Sequence, residues 1–132
     1  SGVYWLAARD VALGEPVYVP IEPDMTACAP PGHTRADVLA ALRDVFSARD
    51  FFHPDNFTFG TPLYLSRIYA AAQAVPGVAH VDVTALRRQG RPDTDAVDSG
   101  ELRIGPREIL RLDNDPNFAE RGVLRIRVGG GK

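Results

Sequence analysis

With a single cysteine, Cys28, the chain has no internal disulfide and no cysteine-rich zinc site. Charge of one sign is also lacking: 15 basic residues face 17 acidic ones, so no global field favours nucleic acid. Long apolar runs are missing too. The stretch from Ile68 to Val75 is broken by Tyr69 and Gln73 and falls far short of the ~20 residues of a membrane span. The start has no charged, apolar and small-residue succession of the kind a signal peptide needs, which leads us to expect a cytoplasmic protein. Lysine is nearly absent, with Lys132 the sole example beside fourteen arginines. Arginine supplies planar, forked donors suited to pairing with carboxylates. No internal repeat is visible. Ser1-Gly2 at the start and Met25 as the sole methionine suggest a piece of a longer polypeptide.

What is present is the composition of one ordinary globular domain over residues 1–132, 45% hydrophobic and 24% charged. Val3 to Ala8 is apolar and is expected to be a strand or an incoming linker. Val17, Val19 and Ile21 alternate with polar positions, predicting a strand over 16–28. Pro16, Pro20 and Pro23 remove ladder donors, which places that strand at a sheet edge or interrupts it there. Thr34 and Asp37 form a capping-box-like start to a helix over 34–48, with Val38, Leu39, Leu42, Val45 and Phe46 on one stripe. A second helix is predicted over 62–75, with Thr61 as its cap, Pro62 in its first position and Pro76-Gly77 as its stop.

Further strands are expected at 78–87, 108–112 and 122–128, and a flexible tail at 129–132. Between the helices, Phe51, Phe52, Phe57 and Phe59 crowd a turn-rich segment that is too apolar for a free loop. The stretch 87–100 reads as a long polar loop. The order of strands, two helices and strands predicts an α+β fold, with both helices on one face of a small antiparallel or mixed sheet.

No constellation for catalysis emerges. His33, His53 and His80 are scattered, and none makes the i, i+4 helical pair of zinc hydrolases. Asp113, Asp115, Asn117 and Glu120 superficially suit a calcium loop. Phe118 stands where that loop requires glycine and Leu124 where it requires glutamate, so a reverse turn is expected instead. There is no nucleophile elbow, phosphate loop or dinucleotide fingerprint. The expectation is a protein with no enzymatic activity, cofactor, metal or small-molecule substrate.

Two segments carry a resemblance. Phe59-Gly60-Thr61-Pro62-Leu63-Tyr64-Leu65-Ser66-Arg67-Ile68, continuing to Pro76-Gly77-Val78, resembles the baseplate J-like family near its C-terminus. Ser99-Gly100-Glu101-Leu102-Arg103-Ile104-Gly105, followed by Glu108-Ile109-Leu110-Arg111-Leu112-Asp113-Asn114-Asp115-Pro116, is similar to its subgroup of baseplate assembly proteins. The resemblance covers most of the chain, and its motifs are structural. It implies the C-terminal part of a longer wedge protein in a contractile phage tail or phage-like injection machine, with other baseplate or wedge subunits as partners. It brings no catalytic residues.

If that is the role, function resides in surfaces. The candidate contacts are Arg87, Arg88 and Arg91 of the polar loop, and Phe51 and Phe57 of the aromatic segment. Two other classes stay open: a ligand- or protein-binding module of a secreted effector, marked by a pocket lined with the four phenylalanines, and a hydrolase built on Asp82, Asp113 or Asp115.

Overall fold

A computed structural model describes residues 15–130. The expected strand or linker at Val3–Ala8 lies outside the described residues, as do Gly131 and Lys132. In chain order the elements are β1 (Val17–Ala29), α1 (Arg35–Val45), β2 (Leu63–Tyr64), α2 (Leu65–Gln73), β3 (His80–Arg88), β4 (Glu101–Leu102), β5 (Glu108–Arg111) and β6 (Arg125–Gly130).

β1 is the spine of the fold. It pairs with β3 antiparallel along one side, and with β5 and then β6 along the other, both parallel. The sheet is therefore mixed, and the fold is α+β as expected. The prolines predicted a strand at a sheet edge or interrupted there; β1 is central, and it is the pairing along one side that is interrupted. Their positions explain why this is tolerated. β5 covers residues 17–20 of β1 and β6 covers 24–29, so Pro23 falls in the gap between the two partners. Ile21, two residues earlier and facing the same way, gives its carbonyl to the Val123 amide just ahead of β6. Pro20 precedes the first residue paired with β3, and its carbonyl accepts from the Gln89 amide at 2.8 Å. Neither proline removes a donor that a neighbouring strand would have used.

Strand alternation sorts β1 into two faces. Val19, Ile21, Pro23, Met25, Ala27 and Ala29 are buried, while the even-numbered positions between them face outward. Both helices cover the buried face, α1 against β6 and α2 against β3, with Val38, Leu42, Ile68 and Ala72 in the shared core. Thr34 caps α1 as expected, its hydroxyl accepting from the Asp37 amide at 3.2 Å.

Two expected boundaries are corrected. α2 does not begin at Pro62, because Leu63 and Tyr64 are extended and pair with Leu102 and Glu101. Tyr64 is the N-cap and makes no side-chain capping bond, and the Leu65 amide instead donates to the Gly100 carbonyl at 2.9 Å. Burial of Leu63 at 2% exposure outweighs the local preference of a Thr-Pro start. The tail expected at 129–132 is likewise shortened, since Gly129 and Gly130 continue β6 opposite Cys28 and Ala29.

Gly122 marks the sharpest backbone constraint, in the return to β6. Its φ of +103° and ψ of 141° suit glycine alone, and an added Cβ would lie 2.9 Å from both Cα and Cδ1 of Leu112. Gly122→Ala is expected to destabilise the fold by about 1–3 kcal/mol, read as a lower urea midpoint at unchanged slope.

Candidate functional site

The 87–100 segment is not the free polar loop its composition suggests. After β3 it turns back and satisfies the outer edge of that same strand. The Leu86 amide donates to Asp95 Oδ1 at 3.2 Å, and the Arg88 amide to Thr94 Oγ1 at 2.9 Å. The Ala96 amide returns a bond to the Leu86 carbonyl at 2.7 Å, and Ala96 itself is buried. Farther along the edge, the Val83 amide donates to the Tyr69 hydroxyl at 2.9 Å. One margin of the sheet is thereby closed to another strand.

The three candidate arginines have different fates. Arg88 makes a two-pronged pair with Glu108, at 3.1 and 3.0 Å. That bond, followed by the Gly105 amide, holds the Glu108 carboxyl below its ordinary value. Arg87 lies between Glu22, at 3.8 Å, and Asp95, at 3.9 Å. Among the described residues Arg91 forms its ion pair with its neighbour Asp93 alone, and it is well exposed. Of the three candidate contact arginines, Arg91 is the one left outside the domain's long-range ion pairs. Arg88 and Arg87 are spent on internal bridges, because the turn after β3 brings carboxylates from distant parts of the chain to meet them. Arg91→Ala is expected to leave the urea midpoint unchanged, whereas Arg88→Ala should cost about 1–2 kcal/mol of unfolding free energy, read as a lower midpoint, by leaving Glu108 half-buried without its cation.

The aromatic segment is mostly core. Phe51 meets the Phe46 ring edge-on at 5.2 Å and Phe52 at 4.8 Å. Phe57, expected to face a partner, is buried and stacks on Phe52 at 5.8 Å. Half-buried Phe51 keeps a limited outer face, with the Arg67 guanidinium 6.0 Å from its ring centre. The large exposed side chains are others: Phe59, Tyr64, Phe118, Val17 and Tyr18. Tyr18 was legible in principle, since it shares strand parity with the outward-facing Glu22 and Asp24. Phe59 and Phe118 sit in turns, where no periodicity reports which way a side chain points.

The outward face of the sheet is a ladder of ion pairs. Arg125 reaches Glu22 at 3.1 Å and Arg127 reaches Asp24 at 2.8 Å. Glu22 also accepts from the Gly90 amide at 2.9 Å, and this bond, with Arg125 and Arg87, keeps its carboxyl below the ordinary range. Exposed Cys28 lies opposite His80 on this face.

The carboxylates proposed for a hydrolase are individually engaged. Asp82 accepts from the Tyr69 hydroxyl, and Asp113 pairs with Arg111 at 3.2 Å. Asp115 takes the Asn117 amide at 2.9 Å, as a reverse turn requires. His53 is a turn cap whose Nδ1 accepts from the Asp55 amide. Among the described residues no three His, Cys, Asp or Glu side chains converge in a way that could hold a metal ion, and no helix is long and apolar enough to cross a membrane.

Comparison with known proteins returns no matching family model, no matching curated protein and no matching solved structure.

Proposed function

We propose that this chain is a structural assembly domain without enzymatic activity, serving as a baseplate wedge component of a contractile phage tail-like injection system. The observation that carries the assembly reading is the division of its side chains. Half-buried charges such as Arg88, Glu108, Glu22 and Asp24 are consumed in internal pairs, while Phe59, Tyr64 and Phe118 stand exposed. Exposed aromatics offer large contact area at low entropic cost. The baseplate reading rests on the resemblance at residues 59–78 and 99–116, and it names other wedge subunits as partners and assembly in the cytoplasm as the setting.

The test is to tag the native full-length protein and image what co-purifies. Contractile tail-like particles are the expected result, and Phe59→Ser with Arg91→Ala should reduce their yield while the isolated domain keeps its melting temperature. A protein recovered only as a free monomer, from cells in which it is normally made, would overturn the assembly role.

A second reading, a binding module of a secreted effector, draws on one feature. Phe52 and Phe57 line a cleft of about 280 Å³, close to the small end of ligand pockets.

A further inference from the structure

The margin of the sheet along β3 is closed, its amides going to Tyr69, Asp95 and Thr94. The margin along β6 is closed at its start alone. The Val123 amide donates to the Ile21 carbonyl, so alternate residues Val123, Arg125, Arg127 and Gly129 turn their main-chain groups toward β1. Leu124, Ile126 and Val128 turn theirs away. Asn114 Oδ1 takes the Leu124 amide at 3.0 Å. Beyond that point no described residue bonds the outward amides and carbonyls of Ile126 and Val128. The side chains of these two residues are half-buried and pack against the core, while Arg125 and Arg127 lie on the outer face. An open edge of this kind is a template for another strand.

What such a strand must carry is set by charge. Across the outer face the charges alternate: Arg87 of β3 reaches Glu22 of β1 at 3.8 Å, and Glu22 accepts from Arg125 of β6 at 3.1 Å. In the next row Asp24 of β1 accepts from Arg127 of β6 at 2.8 Å. Both rows end in a cation at the open margin, with side chains 47% and 64% exposed. A third cation stands at the head of that margin. Arg43 of α1 is exposed, makes no ion pair among the described residues, and lines an open cleft of about 450 Å³ with Asn114, Val123 and Leu124. The cleft's own acid, Asp115, is engaged by the Asn117 amide. A second copy of this chain would bring its own Arg125 and Arg127 to the seam, like charge toward like. We infer that the β6 margin is instead the docking site for an extended acidic segment of a partner protein, added to the sheet as a strand. Its carboxylates continue the two rows beside Arg125 and Arg127, and its alternate side chains, small or β-branched, lie beside Ile126 and Val128. The inference does not depend on the baseplate reading, because the domain by itself tests it.

The probe is a capped synthetic peptide as long as β6 that alternates glutamate with valine, titrated calorimetrically into the 132-residue chain. It should bind roughly ten-fold more tightly than the same peptide with lysine in place of glutamate. Main-chain docking is read separately. N-methylation of the peptide at one alternation, the valines or the glutamates, should abolish binding and at the other should leave it, because one set of amides faces β6 and the other faces away. Arg125→Ala combined with Arg127→Ala should weaken the glutamate peptide by roughly ten-fold, with the far-ultraviolet circular dichroism retained. If that variant fails to fold, the peptide comparisons decide alone. Four outcomes would overturn the inference: no measurable binding of the glutamate peptide, equal affinity for the lysine peptide, indifference to N-methylation at both alternations, or undiminished binding to a folded arginine variant. A dimer in sedimentation that Val128→Pro dissolves would also overturn it, and would assign the margin to a second copy.

Discussion

Phe46→Ala is expected to lower the unfolding free energy by about 3–5 kcal/mol, a large share of the stability of a domain this size. Phe46 is 1% exposed and caps the C-terminus of α1, its amide donating to the Leu42 carbonyl. Its ring meets two others, Phe51 at 5.2 Å and Phe52 at 6.3 Å, and Phe52 in turn stacks on Phe57. Truncation removes transfer energy and leaves a cavity whose walls belong to α1 and to the segment after it, so collapse around the gap is restricted. Urea unfolding measures the loss. Phe59→Ala, at a ring 45% exposed, should by contrast change stability little. Equal losses for the two would show that the aromatic segment does not divide into core and surface as described.

Acid is expected to unfold this protein through Glu22 and Glu108. Both carboxyls lie below their ordinary 4.5 in the folded chain, Glu108 chiefly through Arg88 and Glu22 chiefly through the Gly90 amide. A carboxyl whose folded value is depressed binds its proton more readily when unfolded. The stability it contributes is therefore complete above the unfolded value and is lost as pH falls through and below that point toward the folded value. Unfolding midpoints should hold steady near neutrality and decline below about pH 5. Glu22→Gln and Glu108→Gln together should flatten that decline. At neutral pH each should cost about 1–2 kcal/mol, less than a fully buried charged hydrogen bond because the side chains keep some contact with water. The losses should add if the two sites are independent. An acid limb that stays equally steep in the double variant would assign acid sensitivity to other carboxylates.

Much of the fold could be read from local pattern. The apolar stripe of Val38 and Leu42, the Thr34 cap, and the alternation of Val81, Val83 and Ala85 are short-range signals, and each produced the expected element. The readings that failed share a cause. Pro20 and Pro23 left an edge and an interrupted strand both open, because missing donors count against an unbroken central strand. Whether a donor is missed depends on where β5 ends and β6 begins, and those partners lie about a hundred residues later in the chain. Thr61-Pro62 argued for a helix start, and a pairing with Leu102 overrode it.

The candidate contacts were legible by type but not by direction. Arginine and phenylalanine were recognised as interface material, yet nothing local shows that Arg88 finds Glu108 twenty residues away or that Phe57 turns inward onto Phe52. By itself the sequence determined where the two helices and the longer strands lie, and which side of each is apolar, because those depend on residues a few positions apart. Only the tertiary structure decided which charges are neutralised, which rings are exposed and how the β3 margin of the sheet is closed, because each depends on the approach of groups that are neighbours in space alone.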